Sequence, residues 1–120
     1  MRVLVCGGRD YDNRELVFAF LEMLHPSVVI QGEASGADAL AKEWAVLHDI
    51  RHLDFAADWI KYRRGAGPIR NKKMLVEGKP DIVLAFPGGR GTGNMMKQAI
   101  AAKIPCVNVG YLGNIINGKS

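Results

Sequence analysis

The sequence predicts an α/β protein built on a mostly parallel sheet. Three observations carry that prediction. Short apolar runs alternate along the chain with stretches whose apolar residues recur at helical spacing. Glycine or proline punctuates nearly every change from one to the other. The 120 residues suffice for one domain with a proper core and leave no room for a second.

Arg2-Val3-Leu4-Val5-Cys6 is the first strand, stopped by Gly7-Gly8. Asp12 or Asn13 caps a helix carrying Leu16, Val17, Phe20, Leu21 and Leu24, and Pro26 ends it. Val28-Val29-Ile30 is a second, buried strand closed by Gly32. Ser35-Gly36-Ala37-Asp38 opens a helix through Leu40, Trp44 and Leu47, with Trp44 facing the core. Residues 50–56 alternate apolar and polar, which suits a third, peripheral strand. A loop over 56–67 follows. Pro68 fits the first turn of a helix carrying Ile69, Met74, Leu75 and Val76, stopped by Gly78 and Pro80. Residues 81–86 form a fourth strand that is nearly all apolar. A helix with Met95, Met96, Ala99, Ile100 and Ala102 comes next, then a fifth strand over 105–109. Residues 1–110 read as a single domain and 111–120 as a C-terminal tail.

Strands alternating with helices at this rhythm make βαβ units, hence parallel pairing with helices on both faces. The most economical order for five strands is 3-2-1-4-5, a three-layer α/β/α Rossmann-like sandwich. Strands 1 and 4 are then neighbours, and the winding reverses between them. Open α/β sheets take ligands at that reversal, beyond the carboxyl ends of the strands.

Apolar content of 48% and charged content of 23% are ordinary for a globular protein. No apolar stretch is long enough for a transmembrane helix. MRVLVCGGRD reads as a strand and not as a secretory signal, so a cytoplasmic protein is expected, with Cys6 and Cys106 as reduced thiols. His25, His48 and His52 show no metal-ligand spacing, and no metal is expected. The net charge of +4 is unevenly spread. Six of the sixteen basic residues, Lys61, Arg63, Arg64, Arg70, Lys72 and Lys73, fall within 61–73, where there is no acid. Such a patch is either a solvated surface or a contact for an anion or nucleic acid. Trp59 and Tyr62 beside it either stack on a base or pin the loop.

The glycines sharpen the expectation. Gly7-Gly8-Arg9-Asp10 follows strand 1, and Pro87-Gly88-Gly89-Arg90-Gly91-Thr92 follows strand 4. Gly32-Glu33-Ala34-Ser35-Gly36-Ala37-Asp38 lies beside them after strand 2. Tight turns between strand and helix use glycine in any case. Three such loops at one sheet edge, each leading into a helix N-terminus, suit a phosphate. Thr92 adds a hydroxyl, and Arg9 or Arg70 a charged fork. Neither GxGxxG nor the P-loop pattern is present.

VCGGRDY, GEASGADALA, ADW followed by GAGPIRNKKM, and DIVLAFPGGRGT resemble the YspA, cpYpsA-related SLOG family, in order and spacing, from Met1 to about Val109. The resemblance implies a Rossmann-like domain with a nucleotide-type ligand near a PGG-x-GT loop, and homo-oligomers, for which Phe18, Phe20 or the helix after Gly93 offers a face. The superfamily includes the LOG phosphoribohydrolases, which cleave nucleoside 5′-monophosphates, and the DNA-processing protein DprA. Arg70 and Met74 match the R-x-x-x-M block of the LOG enzymes. Pro87, Gly88, Gly89, Gly91 and Thr92 match PGG-x-GT, with Asn71 and Arg90 beside the matched positions. The acid those enzymes carry three residues after the Thr is replaced here by Met95, which follows Asn94. An oxocarbenium-like transition state needs a carboxylate that methionine cannot supply. Asp10, Glu33, Asp38 and Asp58 are the other acids able to point into the crevice, with Arg70, Asp10 and Asp38 the candidate catalytic residues. Binding of a nucleotide-derived phosphate is thus expected before hydrolysis, and single-strand DNA binding through residues 61–73 is a third possibility.

Overall fold

The computed structural model describes residues 1–110; the tail expected at 111–120 lies outside the described residues. The strands are β1 (Arg2–Cys6), β2 (Val28–Gln31), β3 (Arg51–Asp54), β4 (Ile82–Ala85) and β5 (Cys106–Asn108). The helices are α1 (Arg14–Leu24), α2 (Ala37–Leu47), α3 (Trp59–Tyr62), α4 (Ala66–Gly78) and α5 (Arg90–Ala101). The sheet has the order β3-β2-β1-β4-β5, and every pairing is parallel. This is the Rossmann-like order expected from the sequence.

β1 is the axis of the sheet because its residues are apolar on both sides. Val3 and Val5 pack with Val17, Leu21, Trp44 and Leu84, drawn from α1, α2 and β4. Leu4 and Cys6 pack on the opposite face with Met74, Leu75, Met95 and Ala99, from α4 and α5. A strand buried on both faces has no polar alternation, the pattern expected of a central parallel strand. β3, at the edge, is partly exposed along its length, with Arg51 and Asp54 exposed and His52 and Leu53 half-buried. Asn13 is the helix cap, its Oδ1 accepting from Leu16 N–H at 3.1 Å. α1 ends where His25 turns left-handed (φ 50°) just before Pro26.

Two segments differ from the sequence expectation. The loop expected over 56–67 contains the one-turn helix α3, capped by Asp58 Oδ1 on Lys61 N–H (3.0 Å), and a 3₁₀ turn over Arg63–Gly65. A single turn is too short to show apolar periodicity, and its Ile60 is 87% exposed. α5 begins inside the PGG-x-GT motif, at Arg90, and not after it. Gly91 and Gly93 are poor helix formers and hid that start. Trp44 is core-facing, and both cysteines are free thiols.

Leu4 has no exposed surface and sits between β2 and β4 under α4 and α5. Leu4→Ala is expected to lower stability by about 2–5 kcal/mol in urea denaturation, since the surroundings cannot close over the cavity. A loss under about 1 kcal/mol would show that the sheet is not anchored on β1.

Candidate functional site

β1 and β4 pair in register, Cys6 opposite Ala85, so the chain leaves both strands at the same height. The two loops then meet backbone to backbone. Gly8 N–H donates to Pro87 O at 2.8 Å. A Cβ at Gly88 would lie 2.2 Å from Thr92 Oγ1 and 2.6 Å from Gly8 N, and one at Gly8 would lie 2.9 Å from Pro87 O. Gly36, left-handed at φ 75°, would press a Cβ to 2.0 Å from Gly8 O. Gly8, Gly36 and Gly88 therefore serve the approach of the loops to one another. Gly89 and Gly91 differ: a Cβ on either meets nothing within 4 Å.

Between the loops lies a crevice of about 270 Å³. Cys6 and Met74 form its floor; Gly7, Gly8 and Arg9 come from the loop after β1, and Gly89, Arg90, Gly91 and Thr92 from the start of α5. Asp38 of α2 and Arg70 and Asn71 of α4 complete the wall, and Trp59 stands at the mouth. The other residues singled out in the sequence lie elsewhere. Gly32 and Ser35 border an adjoining cavity. Asp10 and Gly36 border a shallow groove with Arg14 and Glu43. Pro87 and Gly88 line no part of the crevice and hold the loop after β1 from behind.

Of the four acids considered, only Asp38 reaches the crevice. Asp58 caps α3, and Glu33 accepts from Lys42 Nζ at 2.8 Å and Gln31 Nε2 at 3.0 Å. Asp38 is 6% exposed, and its Oδ2 accepts from Gly32 N–H (3.1 Å) and Ala34 N–H (3.3 Å). Burial pushes this carboxyl up to about 6, against the opposing pull of those N–H groups and of Arg70 and Arg9. Burial also lowers the Arg70 pKa, with Asp38 acting to raise it. The Cys6 thiol is pushed up by burial and by Asp38, which disfavours a thiolate on the floor.

Arg70 is held at two points. Its Nη1 donates to Gly32 O and its Nε to Asn71 Oδ1 (3.0 Å). A Cβ at Gly32 would fall 2.4 Å from Nη1, so glycine there makes room for the guanidinium. Asn71, 3% exposed, donates to Gly91 O (3.2 Å) and Asn94 Oδ1 (3.1 Å). Gln98 Nε2 continues the chain to Asn94 Oδ1 (2.8 Å) and Pro68 O (3.0 Å). Met95 is wholly buried in the core beside Leu4 and Cys6.

The basic patch divides. Arg70 turns inward, while Lys61, Arg63, Arg64, Lys72 and Lys73 stay exposed on α3, the turn and α4. Trp59 is 47% exposed, with the Arg9 guanidinium 5.6 Å from its ring centre. Tyr62 lies outside the crevice, paired with Lys61. Phe20 packs edge-on to Phe86, and Phe18 lies under Arg14. Gly67 and Met74 are crevice residues that the sequence reading did not assign there. Their signal was present, because 67, 70, 71 and 74 share one face of α4.

A sequence model of the YspA, cpYpsA-related SLOG family matches residues 1–62, the span from β1 to α3. The Gene 61 protein of Mycobacterium phage D29 is 39% identical over 123 aligned positions, which cover 91% of this chain and 96% of that protein.

Asp38 gives the fold a pH dependence of known sign. Its folded-state pKa, near 6, lies above the ordinary 3.8, so the folded protein holds this proton longer than the unfolded chain. The contribution is full below about pH 4 and is lost as pH rises through 6, by about 3 kcal/mol in all. Urea denaturation at pH 4, 5.5 and 7 should show wild type losing stability relative to Asp38→Asn over that range. Parallel profiles for the two proteins would refute the assignment.

Proposed function

The chain belongs to the YspA, cpYpsA-related SLOG family, and on that premise we propose that it binds a nucleotide-derived phosphate ligand in the crevice between the loops after β1 and β4. The observation that carries this reading is that three arginines border one crevice beside an uncapped helix start. Arg9, Arg70 and Arg90 border the crevice together, and Gly89, the residue capping α5, makes no side-chain hydrogen bond to the first turn. The N–H groups of Arg90, Gly91 and Thr92 are then offered to an anion, with open space before Gly89 and Gly91. Thr92 Oγ1, Gly7 and Gly8 complete the phosphate side, and Arg70 and Asn71 face it from α4. Asp38 serves the sugar side, and the half-exposed indole of Trp59 at the crevice mouth takes the base, while Gly32 and Ser35 border the adjoining cavity.

Binding is favoured over cleavage by the same geometry. Splitting an N-glycosidic bond needs a carboxylate at the developing cation. Met95 puts an apolar, fully buried side chain at the position matching the LOG acid. Asp38 is the acid of the crevice wall, but two backbone N–H groups occupy its Oδ2. The inward turn of Arg70 favours a small anion over single-stranded DNA, because it takes one cation from the exposed patch.

A thermal-shift series with AMP, GMP, CMP, UMP and ADP tests the proposal. At a hundredfold excess over Kd, a bound nucleotide adds about 2.7 kcal/mol and raises Tm by several degrees. Gly89→Asp fits its open position and should leave the unliganded Tm unchanged, while its carboxylate abolishes the ligand shift. No shift in wild type with any of the five defeats the proposal. Prolonged incubation with AMP at high protein concentration should release no adenine; release abolished by Asp38→Asn would replace binding with hydrolysis.

A further inference from the structure

The adjoining cavity, about 300 Å³, is not separate from the crevice. Arg9, Ala34, Trp59 and Arg70 border both, so the two spaces meet at a saddle bordered by two arginines and the half-exposed indole of Trp59. Small-molecule sites usually measure roughly 300–1,000 Å³. Either space alone stands at or below the bottom of that range, and the two joined fall well inside it.

Their linings differ in kind. The crevice has an apolar floor and the anion-facing start of α5. The adjoining cavity is lined by Ser35 and Glu33, which carry a hydroxyl and a carboxylate, and by the small side chains of Ala34, Ala56 and Ala57. That combination suits a compact, hydroxyl-bearing group. Charge agrees as well: Arg9, Arg70 and Arg90 stand against the Asp38 carboxyl, and the Glu33 carboxylate of the adjoining cavity is already paired with Lys42 at 2.8 Å, which leaves an excess that suits two phosphate charges better than one.

We infer that the ligand is a pyrophosphate diester, with its phosphates spanning from the start of α5 to the Arg9–Arg70 saddle, a nucleoside on one side and a second hydroxyl-bearing group on the other, one in each cavity. This inference rests on the nucleotide reading and names the class of nucleotide. Arg9 is the hinge of the assignment. It is exposed, lies over Trp59 and borders both spaces, so its fork can follow a phosphate across the saddle.

Isothermal titration of wild type with AMP, ADP, ADP-glucose, UDP-glucose and NAD⁺ tests it, beside the variant Ala56→Trp. Ala56 is exposed, so the indole fills the adjoining cavity without entering the core. At least one of the three diesters is expected to bind wild type about tenfold or more tighter than ADP. Ala56→Trp should remove that gain and leave ADP affinity as it was. If AMP or ADP binds and no diester binds tighter, the bipartite ligand is refuted while the nucleotide reading stands. The same holds if the gain survives Ala56→Trp. If nothing binds, the nucleotide reading itself falls and takes this inference with it.

Discussion

The backbone of one residue holds the site together. Gly8 N–H donates to Pro87 O, and Gly8 O accepts from Tyr11 N–H (3.2 Å) and Ala37 N–H (3.3 Å). Those three bonds tie the end of β1 to the end of β4, to its own loop and to the start of α2. Nothing larger than hydrogen fits at Gly8 or Gly88 while the loops stay this close. The relative placement of the α2 and α5 starts follows from that contact. So does the width of the crevice, because its two glycine walls cannot part without breaking the Gly8–Pro87 bond.

The opposite wall depends on a different kind of order. α4 and α5 share apolar contacts low in the core through Met74 and Met95, but near the crevice they are joined by polar groups. Gln98, Asn94 and Asn71 pass hydrogen bonds along to the Arg70 Nε. A long, flexible cation is thereby held in one orientation, with its side-chain entropy already spent in the fold. The network also gives Asn94 a role as an acceptor shared by Asn71 and Gln98.

The strand order and the position of the crevice were legible in the sequence because β1, β2 and β4 are apolar runs that no other architecture buries so well. Most of the crevice wall was legible too, through the loops that follow those strands. What composition could not resolve was the direction in which each residue faces. Gly88 and Gly89 are adjacent and chemically identical, yet one is pressed against Gly8 and the other faces open space. Arg70 belongs to a run of cations and alone turns inward, because Gly32 leaves room for it and Gly32 O receives it. Asp10 and Asp38 stand equally close to glycine loops, but only Asp38, on the inner face of the first turn of α2, enters the crevice. Such differences are set by backbone direction over a few residues, which periodicity does not encode.

The two tryptophans of the chain occupy contrasting places. Trp44 is 3% exposed and stacked on His48, two turns along α2 from the crevice. Trp59 is 47% exposed at the crevice mouth, beneath a guanidinium. Their fluorescence therefore separates by colour, a blue band from the dry core indole and a redder one from the wet indole. The protein carries, without any label, one optical reporter for the integrity of its core and another for what passes its mouth.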